Sequence, residues 1–203
     1  MPPKHLTLAI LLLAFTAHSG DSTITYANKT YKTAKIGTQT WLAENLNYEA
    51  EGSVCYENNP ANCAKYGRLY NWETAMKVCP KGWHLPSNAE WDKLYRFVDG
   101  DKGTESPYKS ETAGKHLKAA SGWKEDGNGT DDYGFSALSG GGGFYNGSYK
   151  FSLVGLYGYW WSASEYWNIF NSAYLRRMHY NKEDADWNYN RKTTLYSVRC
   201  LQD

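Results

Sequence analysis

The order of chemical patterns along the chain predicts an α+β domain in which strands and helices are segregated. Three observations carry this: strand-like alternation near the beginning, two helical segments between residues 67 and 100, and strand-like runs again from Tyr157 onward. A long glycine-rich stretch separates the helices from the final strands. At 203 residues the chain accommodates one domain with a sizeable core and little room for a second.

The opening MPPKHLTLAILLLAFTAHSG places Lys4 and His5 ahead of an apolar run from Leu6 to Ala17. That pattern predicts a secretory signal peptide over residues 1–19, cut after Ser19, with a single domain over 20–203. The run falls short of the roughly 20 apolar residues a membrane helix needs, so no transmembrane helix is expected in the processed protein. No cysteine stands near the cut, which excludes lipid attachment there. The expected location is secreted, periplasmic or cell-surface.

Residues 21–48 alternate apolar and polar positions around Ile24, Tyr26, Tyr31, Ile36, Trp41 and Leu42, which predicts a hairpin. Residues 49–66 read as a polar loop. RLYNWETAMKV then spaces Leu69, Trp72, Ala75 and Met76 as a first helix. In the next segment Ser87 and Glu90 form a capping-box signal that opens a second helix, with Trp91, Leu94, Tyr95 and Val98 inward and Gly100 as its stop. A shorter amphipathic piece lies around Ala113 to Ala119. The stretch from Ser121 to Gly147 has too much glycine for a helix and too many aromatics for a linker, so packed irregular chain is expected. YGYWWSASEY, SAYLRRMHY and TTLYSVRCL are three strand-like runs, with the acidic turn NKEDAD before the last.

Lys4 is the only Lys, Arg, Asp or Glu among the first 19 residues, and the whole chain has 22 basic against 21 acidic side chains. The processed chain is therefore neutral, which argues against nucleic acid or anionic lipid as a partner. Four cysteines, Cys55, Cys63, Cys79 and Cys200, suit two disulfides in an exported chain. Three pairings are possible, and the short separation of Cys55 and Cys63 makes their mutual bond a local staple. A zinc site is the rival, but no CxxC pair is present.

The blocks IGTQTWLAENLNY, CYENNPANCAKYGRLYNWETAM, CPKGWHLPSNAEW, GNGTDDYGFSALSGG, YGYWWSASE and SVRC, in that order, closely resemble the family named for the Fibrobacter succinogenes major paralogous domain. The family looks like a branch of the C-type-lectin-like fold, also seen in formylglycine-generating enzymes. The resemblance implies paired termini, two helices, short antiparallel sheets and a long irregular loop region at one end. It also implies a bond between Cys79 and Cys200. It implies no activity, because a fold by itself assigns none.

An enzyme of the formylglycine-generating type needs a reactive cysteine pair, whereas these four are expected to be structural. Glycoside hydrolysis needs two carboxylates facing one cleft, and nothing pairs any two of Glu44, Glu90, Glu111, Glu165 and Asp132. No nucleophile-elbow GxSxG occurs. No cofactor is called for except, as a candidate, calcium: Asp126, Asn128, Thr130, Asp131 and Asp132 crowd oxygen donors into the loop EDGNGTDDYGF. The alternative there is a set of Asx-turns, since Ala137 stands where an EF-hand loop has its glutamate. EPN, QPD and WND motifs are absent, and Trp187 and Asn188 are followed by Tyr189.

Tyrosine and tryptophan dominate the aromatics, 18 and 9 against 6 phenylalanines, a balance suited to surfaces that touch amphipathic ligands. In the cluster Tyr157, Tyr159, Trp160, Trp161, Tyr166, Trp167 and Phe170, strand alternation predicts one of Trp160 and Trp161 inside and the other outside. The outer one, with Trp167 and the loop from Tyr145 to Tyr149, would make a stacking platform. The expected ligand-binding residues are Tyr145, Trp160, Trp161, Tyr166 and Trp167. The expected function is a non-catalytic binding or adhesion module for polysaccharide or a surface protein, the alternatives being a self-associating scaffold or a secreted enzyme.

Overall fold

The computed structural model describes residues 22–103 and 105–203, so the expected signal peptide lies outside the described residues. Strands β1 (Ser22–Tyr26) and β2 (Lys29–Ile36) form a hairpin over Ala27 and Asn28, which both adopt positive φ. A right-twisted two-residue turn requires that backbone. β3 (Gln39–Leu42) returns against β2. Beyond β3 lies the C-terminal strand β12 (Leu201–Gln202), with Leu201 opposite Trp41, and beyond that β6 (Trp83–His84). Both ends of the described chain thus share one five-stranded antiparallel sheet, β3 rather than β1 being the neighbour of β12.

Four α-helices occur among the described residues where two were expected: α1 (Pro60–Tyr66), α2 (Trp72–Ala75), α3 (Asn88–Asp99) and α4 (Ala113–Leu117). α1 lies inside the segment read as polar loop, with Pro60 in its first turn and the Asn59 side chain accepting from Ala61 N. The first predicted helix is cut to α2. Leu69 and Tyr70 instead form β5 (Leu69–Tyr70) against β4 (Ser53–Val54), because the Tyr70 N–H and C=O are both taken by Tyr196. α3 starts and stops as its sequence signals require: both halves of the Ser87–Glu90 capping box form, and Gly100 closes it at φ 77°.

The glycine-rich stretch is irregular to residue 141 and then enters β7 (Gly142–Asn146), which pairs with β8 (Ser148–Ser152). Gly127 and Gly129 are there for space: a Cβ would stand 2.2 Å from the Tyr180 carbonyl oxygen at the first and 2.4 Å from that of Lys118 at the second. A second sheet has the order β11 (Ala185–Arg191), β10 (Ser172–His179), β9 (Tyr157–Glu165). β11 was not foreseen. The segment Thr194–Cys200 was expected as a strand, but it threads between elements, bonding to Gly143, Tyr70, Tyr159, Trp161, Leu46 and Leu42.

β9 runs through the middle of the core, and this corrects the alternation argument. Trp160 faces a cluster with Trp41, Trp91, Leu94 and Phe135, while Trp161 faces another with Leu42, Tyr70, Leu175 and Val198. Both indoles are fully buried. Each N–H has an internal acceptor, Asn45 Oδ1 for Trp160 and Tyr70 O for Trp161, both at 2.8 Å. A strand with core on both faces hides successive side chains.

Two buried guanidinium groups fasten these layers. Arg176 donates to Asp92 Oδ1 at 2.7 Å and to the carbonyls of Tyr108 and Asn88. Arg199 has no carboxylate within salt-bridge distance among the described residues; it donates to the carbonyl oxygens of Leu42, Phe135 and Ser136 and to Asn45 Oδ1. Asn45 also donates to Tyr66 O at 2.8 Å and to Ser197 Oγ at 3.3 Å. Covalent bonds join Cys55 to Cys63 and Cys79 to Cys200, matching the expected pairs.

Asn45→Ala should lower stability by about 2–5 kcal/mol in chemical denaturation with disulfides intact, since it leaves two buried donors, Trp160 Nε1 and Arg199 Nη2, short of an acceptor. A loss under about 1 kcal/mol would mean that water enters the network. Cys200→Ser should cost about 2–5 kcal/mol, checked in the same assay.

Candidate functional site

The two most exposed large apolar side chains among the described residues, Trp167 and Phe170, lie at the tip of the β9–β10 hairpin. Trp167 is 85% exposed, Phe170 95% and Ile169 44%. The local sequence YWNIFNS has no charge. The tip is held by bonds from Tyr166 N to Ser172 O and from Lys192 N to Asn171 O, both 2.9 Å. Between the paired residues Ala173↔Glu165 and Leu175↔Trp161, β9 carries two residues more than β10. The bulged residues are anchored to the start of α3, by Ala163 N on Pro86 O and by Asn88 N on Ser164 Oγ. Such a bulge re-aims the chain beyond it. Here it carries the tip clear of the core.

Behind the tip stands a row of rings. Tyr166 stacks on Tyr189 at 3.9 Å between centroids with the planes 4° apart, meets Tyr174 edge-on at 5.0 Å, and Tyr174 meets Trp187 at 5.5 Å. All four are half-buried. The tip is therefore backed by a stiff aromatic brace.

Of the five residues expected to bind ligand, Trp167 and Tyr166 belong to this site and Trp160 and Trp161 do not. Tyr145 lies on the β7–β8 hairpin, 55% exposed, in edge contact with Tyr149 at 5.2 Å. Tyr149 donates through its hydroxyl to Thr193 O at 3.2 Å, next to the Lys192 that holds Asn171. Sequence reasoning missed Ile169, Tyr174, Tyr189 and Trp187. The period-two placement of the last two in DWNYNR was the available signal, obscured by the polar residues between them.

The oxygen donors of the 126–132 loop serve separate partners. Asn128 Oδ1 accepts from Trp123 N, Asp131 takes the Ser136 N–H and hydroxyl, and Asp132 pairs with His116 Nδ1 at 2.5 Å. Thr130 donates to Lys115 O. Asp126 is exposed at φ 56°. No group of three or more His, Cys, Asp or Glu side chains among the described residues is placed to hold a metal ion.

A cleft of about 1100 Å³ opens between β2–β3 and residues 132–138, with Glu44 and Asp132 among its lining. The His116 hydrogen bond holds the Asp132 carboxyl below its usual range. Glu44 is bound to Lys29 at 3.0 Å and to Lys32 N. Held below its usual range, the Asp132 carboxyl does not have the raised pKa of a glycosidase general acid. All four cysteines are in disulfides.

A family model described as the Fibrobacter succinogenes major domain matches residues 34–202. No curated protein and no solved structure matches the chain.

One constellation imitates catalytic geometry. His84 places Nδ1 2.7 Å from Asp203 Oδ1 and Nε2 2.8 Å from Glu90 Oε1. The Ser87 hydroxyl, which shares Glu90 with His84, donates to the Glu90 carboxylate in the α3 cap. Partial burial alone would lower the His84 imidazole, but hydrogen bonds to Asp203 and Glu90 outweigh it and hold the pKa above its usual value. The charged ring thus latches the C-terminus to the start of α3. Because the folded pKa is raised, this stabilisation is fully present below about pH 6.5, the ordinary histidine value, and is lost as pH rises through the folded one. His84→Gln should therefore lower the melting temperature most at mildly acidic pH and progressively less above neutrality. A difference that is constant with pH would sink the latch.

Proposed function

The chain belongs to the Fibrobacter succinogenes major domain family, and from that premise we propose that it is an exported, non-catalytic binding or adhesion module that engages polysaccharide or a surface protein through the β9–β10 tip. The observation that carries this is the exposure of Trp167 and Phe170. Burying a large apolar side chain contributes about 1.5–3 kcal/mol, and these two forgo nearly all of it. Large exposed aromatics are among the residues that anchor partners.

Export is supported by the signal-like first 19 residues and by the two disulfides, which fit a secreted, periplasmic or cell-surface location. No helix among the described residues is long and apolar enough to cross a membrane. We read the architecture as C-type-lectin-like, on the C-terminal strand set between β3 and β6, the disulfide from Cys200 to Cys79, and irregular loops in the second half of the chain. Self-assembly by strand addition at β11 is disfavoured. That strand has a strand neighbour on one side only, yet on its other edge Ala185 bridges to Ser110, and the N–H groups of Tyr189 and Arg191 are occupied by the side chains of Asn188 and Asn190.

The test is retention of the oxidised protein on a panel of insoluble polysaccharides, with and without calcium, beside a Trp167→Ala/Phe170→Ala variant. The variant should melt within about 0.5 kcal/mol of the parent, as surface substitutions do, and lose retention. Retention unchanged in the variant refutes the tip as the binding site. Loss on calcium removal would instead implicate the Asp126 to Asp132 loop. Concentration-dependent sedimentation without glycan would favour the scaffold alternative.

A further inference from the structure

The tip is convex. A single sugar or other small molecule is held by a concavity that covers most of its surface, whereas Trp167 and Phe170 stand 85% and 95% exposed. A ligand that uses such a tip gains affinity by touching the protein again elsewhere. A second exposed aromatic surface is the β7–β8 hairpin, where Tyr145 and Tyr149 form an edge-to-face pair, 55% and 37% exposed.

The two surfaces are joined through one short piece of chain. Lys192 N bonds to Asn171 O, at the foot of the tip, and Thr193 O accepts from the Tyr149 hydroxyl. Lys192 and Thr193 are consecutive, so their Cα atoms are about 3.8 Å apart. Leu195 continues the seam by pairing with Gly143 of β7 in both directions. Neither hairpin can shift against the other without breaking these bonds, so their spacing is fixed.

Charge narrows the ligand. The tip segment YWNIFNS and the hairpin segment GGFYNGSY contain no ionisable group other than tyrosine. Between them, the Lys192 ammonium is turned inward, 4.1 Å over the Trp72 ring and 3.1 Å from Glu165. Arg191 and Lys150 are exposed at the margins as hydrogen-bond donors. Ring faces with neutral amides and phenols match the C–H faces and hydroxyls of uncharged sugars.

We infer that the β9–β10 tip and the Tyr145–Tyr149 pair are two subsites of one surface, whose ligand is an extended, uncharged polysaccharide long enough to reach both. The inference rests on the tip reading given above, and adds to it a second subsite, a charge class and a length requirement. Two linked weak contacts convert the second into an intramolecular event, so affinity rises steeply once a chain spans them.

The experiment titrates the oxidised full chain with soluble glucan, xylan and mannan fragments, each as a length ladder from disaccharide to polymer, with polygalacturonate and phosphatidylcholine vesicles alongside. For at least one neutral glycan, the polymer should bind on the order of 10²-fold more tightly than its short fragments, per chain. Tyr145→Ser, which removes an exposed ring and no hydrogen bond to the fold, should erase that advantage while leaving short-fragment binding. Trp167→Ala/Phe170→Ala should abolish both. Binding that needs the tip but is equal for short and long chains, or indifferent to Tyr145→Ser, overturns the two-subsite inference and leaves the tip reading standing. Preference for polygalacturonate, or binding to vesicles with none to any glycan, overturns the neutral-polysaccharide assignment.

Discussion

A full positive charge sits in the core of this protein without a carboxylate against it, and the architecture is organised around satisfying it. Arg199 is completely buried, and burial pushes its pKa down to about 9 against the opposing pull of Asp131 and Glu44. It remains charged at neutral pH, and a buried charge without a carboxylate needs acceptors for its donors; both Nη groups have them, while Nε is buried without one. The acceptors come from the end of β3, from Asn45, and from the irregular chain at Phe135 and Ser136. Two stretches far apart in sequence, residues 42–45 and 135–136, must therefore close on the C-terminal segment together. That requirement explains how a long glycine-rich loop can be fixed without secondary structure.

The same centre explains the blocks by which the family is recognised. Asn45 comes from IGTQTWLAENLNY, Tyr66 from CYENNPANCAKYG, Phe135 from GNGTDDYGFSALSGG, Trp160 from YGYWWSASE, and Ser197 and Arg199 from SVRC. Five of the six blocks meet in one buried polar network. The remaining block supplies the α3 cap and the Cys79 end of the disulfide. In this chain these residues specify the interior of the fold. Their presence is silent about what the exterior binds.

Legibility in the sequence followed the range of the interactions involved. α3 was readable because its capping box and closing glycine are local, and the hairpins because their alternation is local. The helix expected from Leu69 shrank to α2 because Tyr70 is claimed by Tyr196, 126 positions later, and no local pattern reports that. β11 was hidden because Trp187 and Tyr189 alternate with asparagines whose side chains serve the strand's own backbone. The Trp160–Trp161 pair misled for a related reason. Alternation states that neighbours face opposite ways, and only the tertiary arrangement decides whether the second way is solvent or another core.

This separates the residues that can testify about function from those that cannot. Trp160, Trp161 and the acids of the 126–132 loop looked functional by composition, yet packing or a hydrogen-bond partner accounts for all of them except the exposed Asp126. A placement that stabilises the fold needs no further cause. Trp167 and Phe170 are different, because the fold gains almost nothing from them where they stand, while a β-bulge and a stacked tyrosine brace are arranged so that they stand there. Structure invested in holding apolar groups away from the core is the physical ground on which the proposed binding surface rests.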